Sequence, residues 1–190
     1  MNTERFRVLA VDDDQDILDL VKMSLEGDFD VVALKDPAQA LDFVDYIEPD
    51  IAVIDIMMPK VTGYHLVEEM RTNPQHRGVQ IIFLSAKNSP HDIRYGYKVG
   101  ANYYLTKPFL PDRLHRTVEI VMAEGGLREP RPKSWNLREV ETRLQMKMPR
   151  VYESWQDFQA SRDRIPGREK LSLKRILGKE RQHDKDRWEG

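Results

Sequence analysis

Apolar residues fall along this chain in two alternating textures. Five short runs stand out, at 6–11, 31–34, 51–54, 81–84 and 103–105, most of them continuous rather than alternating. That is the pattern of parallel strands buried on both faces. Between them, apolar positions recur at helical spacing. Ile17, Leu18, Val21 and Leu25 share a face after the run Asp12, Asp13, Asp14. Asp36 and Pro37 form a cap-and-proline start ahead of Ala40, Leu41 and Val44. Leu66, Val67 and Met70 mark a third helix after Gly63. Ser89 and Pro90 repeat the start signal, with Gly100 as the stop, and Leu114, Val118 and Val121 mark a fifth helix. Five strand–helix units with right-handed crossovers predict an α/β fold, a flavodoxin-like doubly wound five-stranded parallel sheet in the order 2-1-3-4-5.

After Ala123 the pattern changes. Gly125-Gly126 and Glu129-Pro130-Arg131-Pro132 read as a stop and a stiff linker. Leu137, Val140, Leu144 and Met148 then recur at helical spacing with Ser134 as the expected cap, and Val151, Trp155 and Phe158 continue the stripe past Pro149. The expected organisation is a first domain over 1–124, a linker over 125–133, a mostly helical extension over 134–180 and a disordered polar tail over 181–190.

Charge sharpens this division. Residues 1–124 carry 13 basic and 21 acidic side chains, a net −8, whereas the remainder carries 17 basic and 11 acidic, a net +6. Such asymmetry bears on partners rather than on fold. Cysteine is absent, which excludes disulfides, thiolate metal sites and a cysteine nucleophile. No apolar signal core opens the chain and no apolar run approaches the ~18 residues of a membrane span. The expectation is a cytoplasmic protein without a membrane partner.

In an open α/β sheet the site lies at the carboxyl ends of the strands. There the sequence places Asp12, Asp13 and Asp14 after strand one, Asp55 after strand three, Ser85 after strand four, and Thr106 and Lys107 after strand five. Strands one and three are neighbours in the expected order, so their carboxylates converge and repel. Mg2+ offsets such repulsion well, since it takes oxygen ligands and needs few carboxylates. Lys107 adds a positive point charge and Ser85 a hydroxyl donor. The set suits phosphoryl transfer to an aspartate. Asp14 is equally a plain helix cap, and each of the others alone would be an ordinary loop residue; their joint occurrence carries the reading. A flavin or nucleotide site is disfavoured, because aspartates replace a Gly-rich loop after strand one.

Asp12-Asp13-Asp14, the stretch Asp55-Ile56-Met57-Met58-Pro59 with Gly63, Leu84-Ser85-Ala86, and Tyr104-Leu105-Thr106-Lys107-Pro108-Phe109 resemble the receiver domain of bacterial two-component response regulators over about residues 5–122. The resemblance implies that Asp55 is the phosphoacceptor and that Mg2+ is held by Asp12, Asp13, Asp55 and the Met57 backbone carbonyl. It implies that Lys107 contacts the phosphoryl group, with a cis bond to Pro108, and that Ser85 and Tyr104 form the switch, Tyr104 turning inward as Ser85 moves toward the phosphoryl oxygens. The donor would be a histidine kinase or phosphotransfer protein. The protein would be a signalling switch and not an enzyme with turnover. Met57 and Lys87 occupy the positions that influence acyl-phosphate lifetime, and Met57 predicts slow autodephosphorylation.

For the back third, the favoured expectation is a helical adaptor that docks a protein partner or a second copy. Nucleic-acid binding through Lys170, Lys174, Arg175, Lys179 and Arg181 is the alternative, weakened by interspersed acidic residues and by the lack of a helix-turn-helix pattern. A passive tail is a third reading. A degenerate receiver serving only as a scaffold is disfavoured by the intact Asp12, Asp13, Asp55 and Lys107.

Overall fold

The structure is a computed structural model that describes residues 5–127, 129–130 and 132–147. Five strands, β1 (Arg7–Val11), β2 (Asp30–Leu34), β3 (Ile51–Asp55), β4 (Gln80–Ser85) and β5 (Tyr103–Thr106), alternate with α1 (Gln15–Leu25), α2 (Pro37–Ile47), α3 (Gly63–Thr72), α4 (Pro90–Val99) and α5 (Pro111–Glu124). A further helix, α6 (Leu137–Lys147), follows, and a single 3-10 turn at Pro74–His76 precedes β4. The sheet is wholly parallel in the order β2-β1-β3-β4-β5, as the strand–helix alternation predicts. No helix among the described residues is long and apolar enough to cross a membrane.

The continuous apolar runs are explained by burial on both sheet faces. Val8, Ala10, Val53, Ile82 and Leu84 pack with Leu18, Val21 and Leu25 of α1 and Leu114, Val118 and Val121 of α5. The intervening Leu9, Val11, Ala52, Ile54, Ile81 and Phe83 are also buried and, by the period of two, face the other helices. Helix starts follow the predicted chemistry. Asp14, Asp36 and Ser89 accept from the backbone N–H of Asp16, Ala38 and Asp92 at 2.9, 3.0 and 3.1 Å. α4 stops at Gly100, whose φ of 121° suits only glycine.

The segment after α5 departs from expectation. It is packed where residues are described, and it runs beneath the amino-terminal ends of the strands. Gly125 lies so close under Gln80 that a Cβ there would sit 2.6 Å from Cδ. Lys133 Nζ pairs with Asp50 Oδ2 at 2.7 Å, both side chains being buried, and the Arg7 backbone N–H donates to the same carboxylate oxygen at 2.9 Å. The Arg7 guanidinium donates to the carbonyls of Ile47 and Trp135, each at 2.8 Å. The Ser134 N–H donates to Glu48 at 2.6 Å. Ser134 therefore does not cap α6. Asn136 does: its side chain accepts from the Glu139 N–H at 3.0 Å, and Glu139 accepts from the Asn136 N–H at 2.9 Å. This reciprocal box satisfies two otherwise orphaned donors.

α6 lies against α2 instead of standing apart as a docking helix. Val140 and Leu144 of the expected stripe are buried. α2 correspondingly buries two stripes. Ala40, Val44 and Ile47 form the first; Gln39 and Phe43, with half-buried Tyr46 three positions on, form the second. The Tyr46 ring meets Trp135 at 6.4 Å between centroids. Met148, Val151, Trp155 and Phe158, like the basic residues from Lys170 on, lie outside the described residues.

Candidate functional site

The carboxyl ends of β1, β3, β4 and β5 meet in one acidic crevice. β1 ends at Val11, so Asp12 and Asp13 project from its tip, and the β1–β3 register (Val11 beside Ile54) brings Asp55 alongside. Carboxylate oxygens of Asp12, Asp13 and Asp55 lie within 4.8 Å of one another. Asp12 and Asp55 are buried; Asp13 is half-exposed. Asp14 points away, as a cap of α1. The Asp14 N–H donates to Asp12 Oδ1 at 3.0 Å, and the Met57 N–H to Asp55 Oδ2 at 2.6 Å. These bonds fix each carboxylate and leave its other oxygen toward the crevice.

Lys107 reaches into the cluster from the end of β5. Its ammonium lies 2.6 Å from Asp12 Oδ2 and 2.7 Å from Asp55 Oδ1. The Lys107-Pro108 bond is cis, and the Lys107 N–H donates to the Ser85 carbonyl at 2.8 Å. Burial pushes the Asp12 carboxyl above its usual value, against the lowering effect of Lys107. Burial would lower the Lys107 ammonium, but its hydrogen bonds to Asp12 and Asp55 outweigh this and hold it above its usual value. Three carboxylates sharing one ammonium leave excess negative charge in a partly desiccated crevice. An all-oxygen donor set of this charge fits a hard divalent cation, Mg2+ above all.

Gly63 holds the floor of the site. As the first residue of α3, it packs directly on the end of β3, and a Cβ would fall 2.1 Å from the Asp55 carbonyl oxygen. Ser85 is fully buried, and its Oγ accepts from the Lys87 N–H at 3.0 Å. Tyr104 lies inside the α4–β5 junction at 7% exposure, its hydroxyl donating to the Lys87 carbonyl at 3.0 Å. Phe83 meets it edge-on at 6.4 Å. Met57 points outward and is 56% exposed. Thr106, at the end of β5, is half-buried.

The structure thus brings Asp12, Asp13, Asp55 and Lys107 together, with Ser85 and Tyr104 on the adjoining β4–β5 side, joined through Lys87. Sequence reasoning gave no role to the Lys87 backbone or to Gly96 of α4, which borders Tyr104. A helical glycine amid exposed neighbours was the available signal.

Comparison with known proteins places the fold in a family. A family model described as the response regulator receiver domain matches residues 8–119. Response regulator Rre1 of Synechocystis is 33% identical over 122 residues, covering 63% of this chain and 53% of that protein. The DNA-binding response regulator MtrA of Mycobacterium tuberculosis is 36% identical over 115 residues, 60% of this chain and 49% of that one. The chain therefore spans about half the length of the curated relatives it matches. Among solved structures, chemotaxis protein CheY4 of Vibrio cholerae superposes with a TM-score of 0.59 at 32% identity, covering 62% of this chain and 99% of that one. A response regulator of Chloroflexus aurantiacus gives 0.60 at 29% identity, covering 63% and 99%.

Proposed function

This chain belongs to the response regulator receiver domain family of two-component signalling proteins, and from that premise we propose that Asp55 accepts a phosphoryl group from a phosphohistidine donor on a kinase or phosphotransfer protein. The observation that carries the proposal is the Lys107 ammonium held between Asp12 and Asp55 at 2.6 and 2.7 Å. A positive charge so placed stabilises the equatorial oxygens of a transferring phosphoryl group.

An Asp55 carboxylate oxygen attacks phosphorus in line, the phosphorus–nitrogen bond to the donor imidazole breaks, and the imidazole leaves with its electron pair and takes up a proton. An acyl phosphate on Asp55 results. The Met57 N–H holds the spectator oxygen Oδ2. Asp12, Asp13, Asp55 and the Met57 carbonyl would hold Mg2+, which when bound supplies further charge neutralisation at the phosphoryl oxygens. Lys107 then swings from the carboxylates to the phosphoryl group.

The switch is read through Lys87. Ser85 Oγ turns from the Lys87 N–H toward a phosphoryl oxygen, and Tyr104 keeps its inward position with its hydroxyl on the Lys87 carbonyl. The new state is presented on the α4–β5 surface. Because the Met57 side chain cannot orient an attacking water by hydrogen bonding, the acyl phosphate is long-lived.

The output is a protein contact made by the receiver face or by residues beyond Lys147. A second reading is DNA binding, favoured by the name of MtrA and by the +6 charge of the region after residue 124. Salt-sensitive binding to duplex DNA that strengthens on phosphorylation would decide for it. The phosphoacceptor proposal is tested with acetyl phosphate and Mg2+: the parent chain gains one phosphoryl group by mass, and Asp55→Asn and chelation of the metal each abolish it. Equal labelling of Asp55→Asn would overturn it.

A further inference from the structure

α4 keeps one residue whose size, and not its backbone, is constrained. Gly96 is the single buried residue of that helix, while Tyr95, Tyr97 and their neighbours face outward. A Cβ at Gly96 would lie 2.9 Å from Cδ2 and 3.1 Å from Cε2 of Tyr104, and 3.3 Å from Cδ2 of Phe83. Carbon atoms pack comfortably at roughly 3.5–4.0 Å. Glycine inside a helix is otherwise unfavourable relative to alanine, so the missing methyl needs a reason. The ring of Tyr104 supplies it. That ring is confined on its other sides by Phe83 and by the hydroxyl bond to the Lys87 carbonyl.

We propose that Gly96 is a notch that admits the Tyr104 ring and so sets the balance between its inward and outward poses. This deepens the switch reading given above and rests on it. The connection to the acceptor runs through Lys87, whose carbonyl is held by Tyr104 and whose N–H is held by Ser85 Oγ. A methyl in the notch expels the ring, releases the Lys87 carbonyl and disfavours the conformation in which Ser85 reaches the phosphoryl group. By linkage, whatever disfavours the inward pose weakens a phosphoryl mimic that requires that pose, by up to the same factor. For an overpacked site that factor is roughly tenfold.

The test uses the full chain labelled with 3-fluorotyrosine, the Tyr104 fluorine resonance being assigned by its loss in Tyr104→Phe. Gly96→Ala is expected to move that resonance to a solvent-exposed position before any addition. It is also expected to weaken beryllofluoride binding in Mg2+ roughly tenfold. In a Tyr104→Ala background, Gly96→Ala should change beryllofluoride affinity by less than about twofold, because the methyl then has no ring to meet. An unmoved resonance with unchanged affinity, α4 having yielded instead, would overturn the notch. So would an equal loss of affinity in the Tyr104→Ala background. Failure of the parent to bind beryllofluoride, or undiminished binding by Asp55→Asn, would sink the phosphoacceptor reading instead, and the resonance measured without beryllofluoride would still report on the notch.

Discussion

At the scale of single residues, the acidic crevice is a balance between repulsion and one shared ammonium. Asp12 carries a carboxyl raised above 3.8 by burial. The folded chain therefore binds that proton more tightly than the unfolded chain, and metal-free stability falls as pH rises through the window above 3.8. Mg2+ held by Asp12 would compete with the same proton. Calorimetric titration should show Mg2+ affinity falling as pH is lowered into that window, and Asp12→Asn should bind Mg2+ weakly at every pH. Lys107 has the same sign at the other end of the scale: its raised pKa contributes stability that is complete below 10.5 and lost as pH climbs beyond it. Met57 supplies a kinetic prediction. Met57→Asn places an amide where a water can be oriented, and the half-life of the labelled chain should shorten; an unchanged half-life would count against a role for this position. Most of the site was legible in sequence because each residue sits at a strand end, where topology alone decides what converges. Gly96 and the Lys87 backbone were not, since one acts through an absent methyl and the other through its peptide groups.

At the scale of elements, local chemistry predicted starts and stops well where a side chain does the work. Asp14, Asp36 and Ser89 cap as expected. The α6 cap was misplaced at Ser134 because the sequence offers two polar candidates two residues apart, and the Glu139 partner selects Asn136. Asn136→Ala should cost about 1 kcal/mol in urea denaturation, with loss of protection across α6. The 3-10 turn at Pro74–His76 has no periodic signature, and its anchor, His76 on Asp45 of α2 at 2.7 Å, is long-range. α3 packs directly behind Asp55 through Gly63. Gly63→Ala would drive a methyl into the Asp55 carbonyl, so acetyl phosphate labelling should be lost or the chain destabilised. Normal labelling with unchanged melting would show that α3 can back away.

At the scale of the molecule, the sheet has a chemical end and a mechanical end. β1 carries Asp12 and Asp13 beyond its tip and Arg7 at its base; β3 carries Asp55 at its tip and follows Asp50. The base is clamped by Lys133, which lies 83 positions from Asp50 in sequence, so no local pattern could reveal it. The same holds for α6: its stripe was visible, but the covering surface was the second stripe of α2, which reads in sequence as ordinary helix. Lys133→Ala strips a buried carboxylate of its ammonium and should cost about 3 kcal/mol, with the acceptor chemistry intact in chain that remains folded. Hydrogen exchange across Leu137–Lys147 should be slow, and unchanged by beryllofluoride, because the clamp lies a full strand length from Asp55. For recombination the clamp has a consequence. The two-proline linker after α5 looks like a seam at which one receiver could be exchanged for another, yet a cut there would leave the base of β1 and β3 without its bolt. The smallest transplantable module ends after α6, and a graft made at the proline linker should inherit a donor's signal while losing the host's solubility.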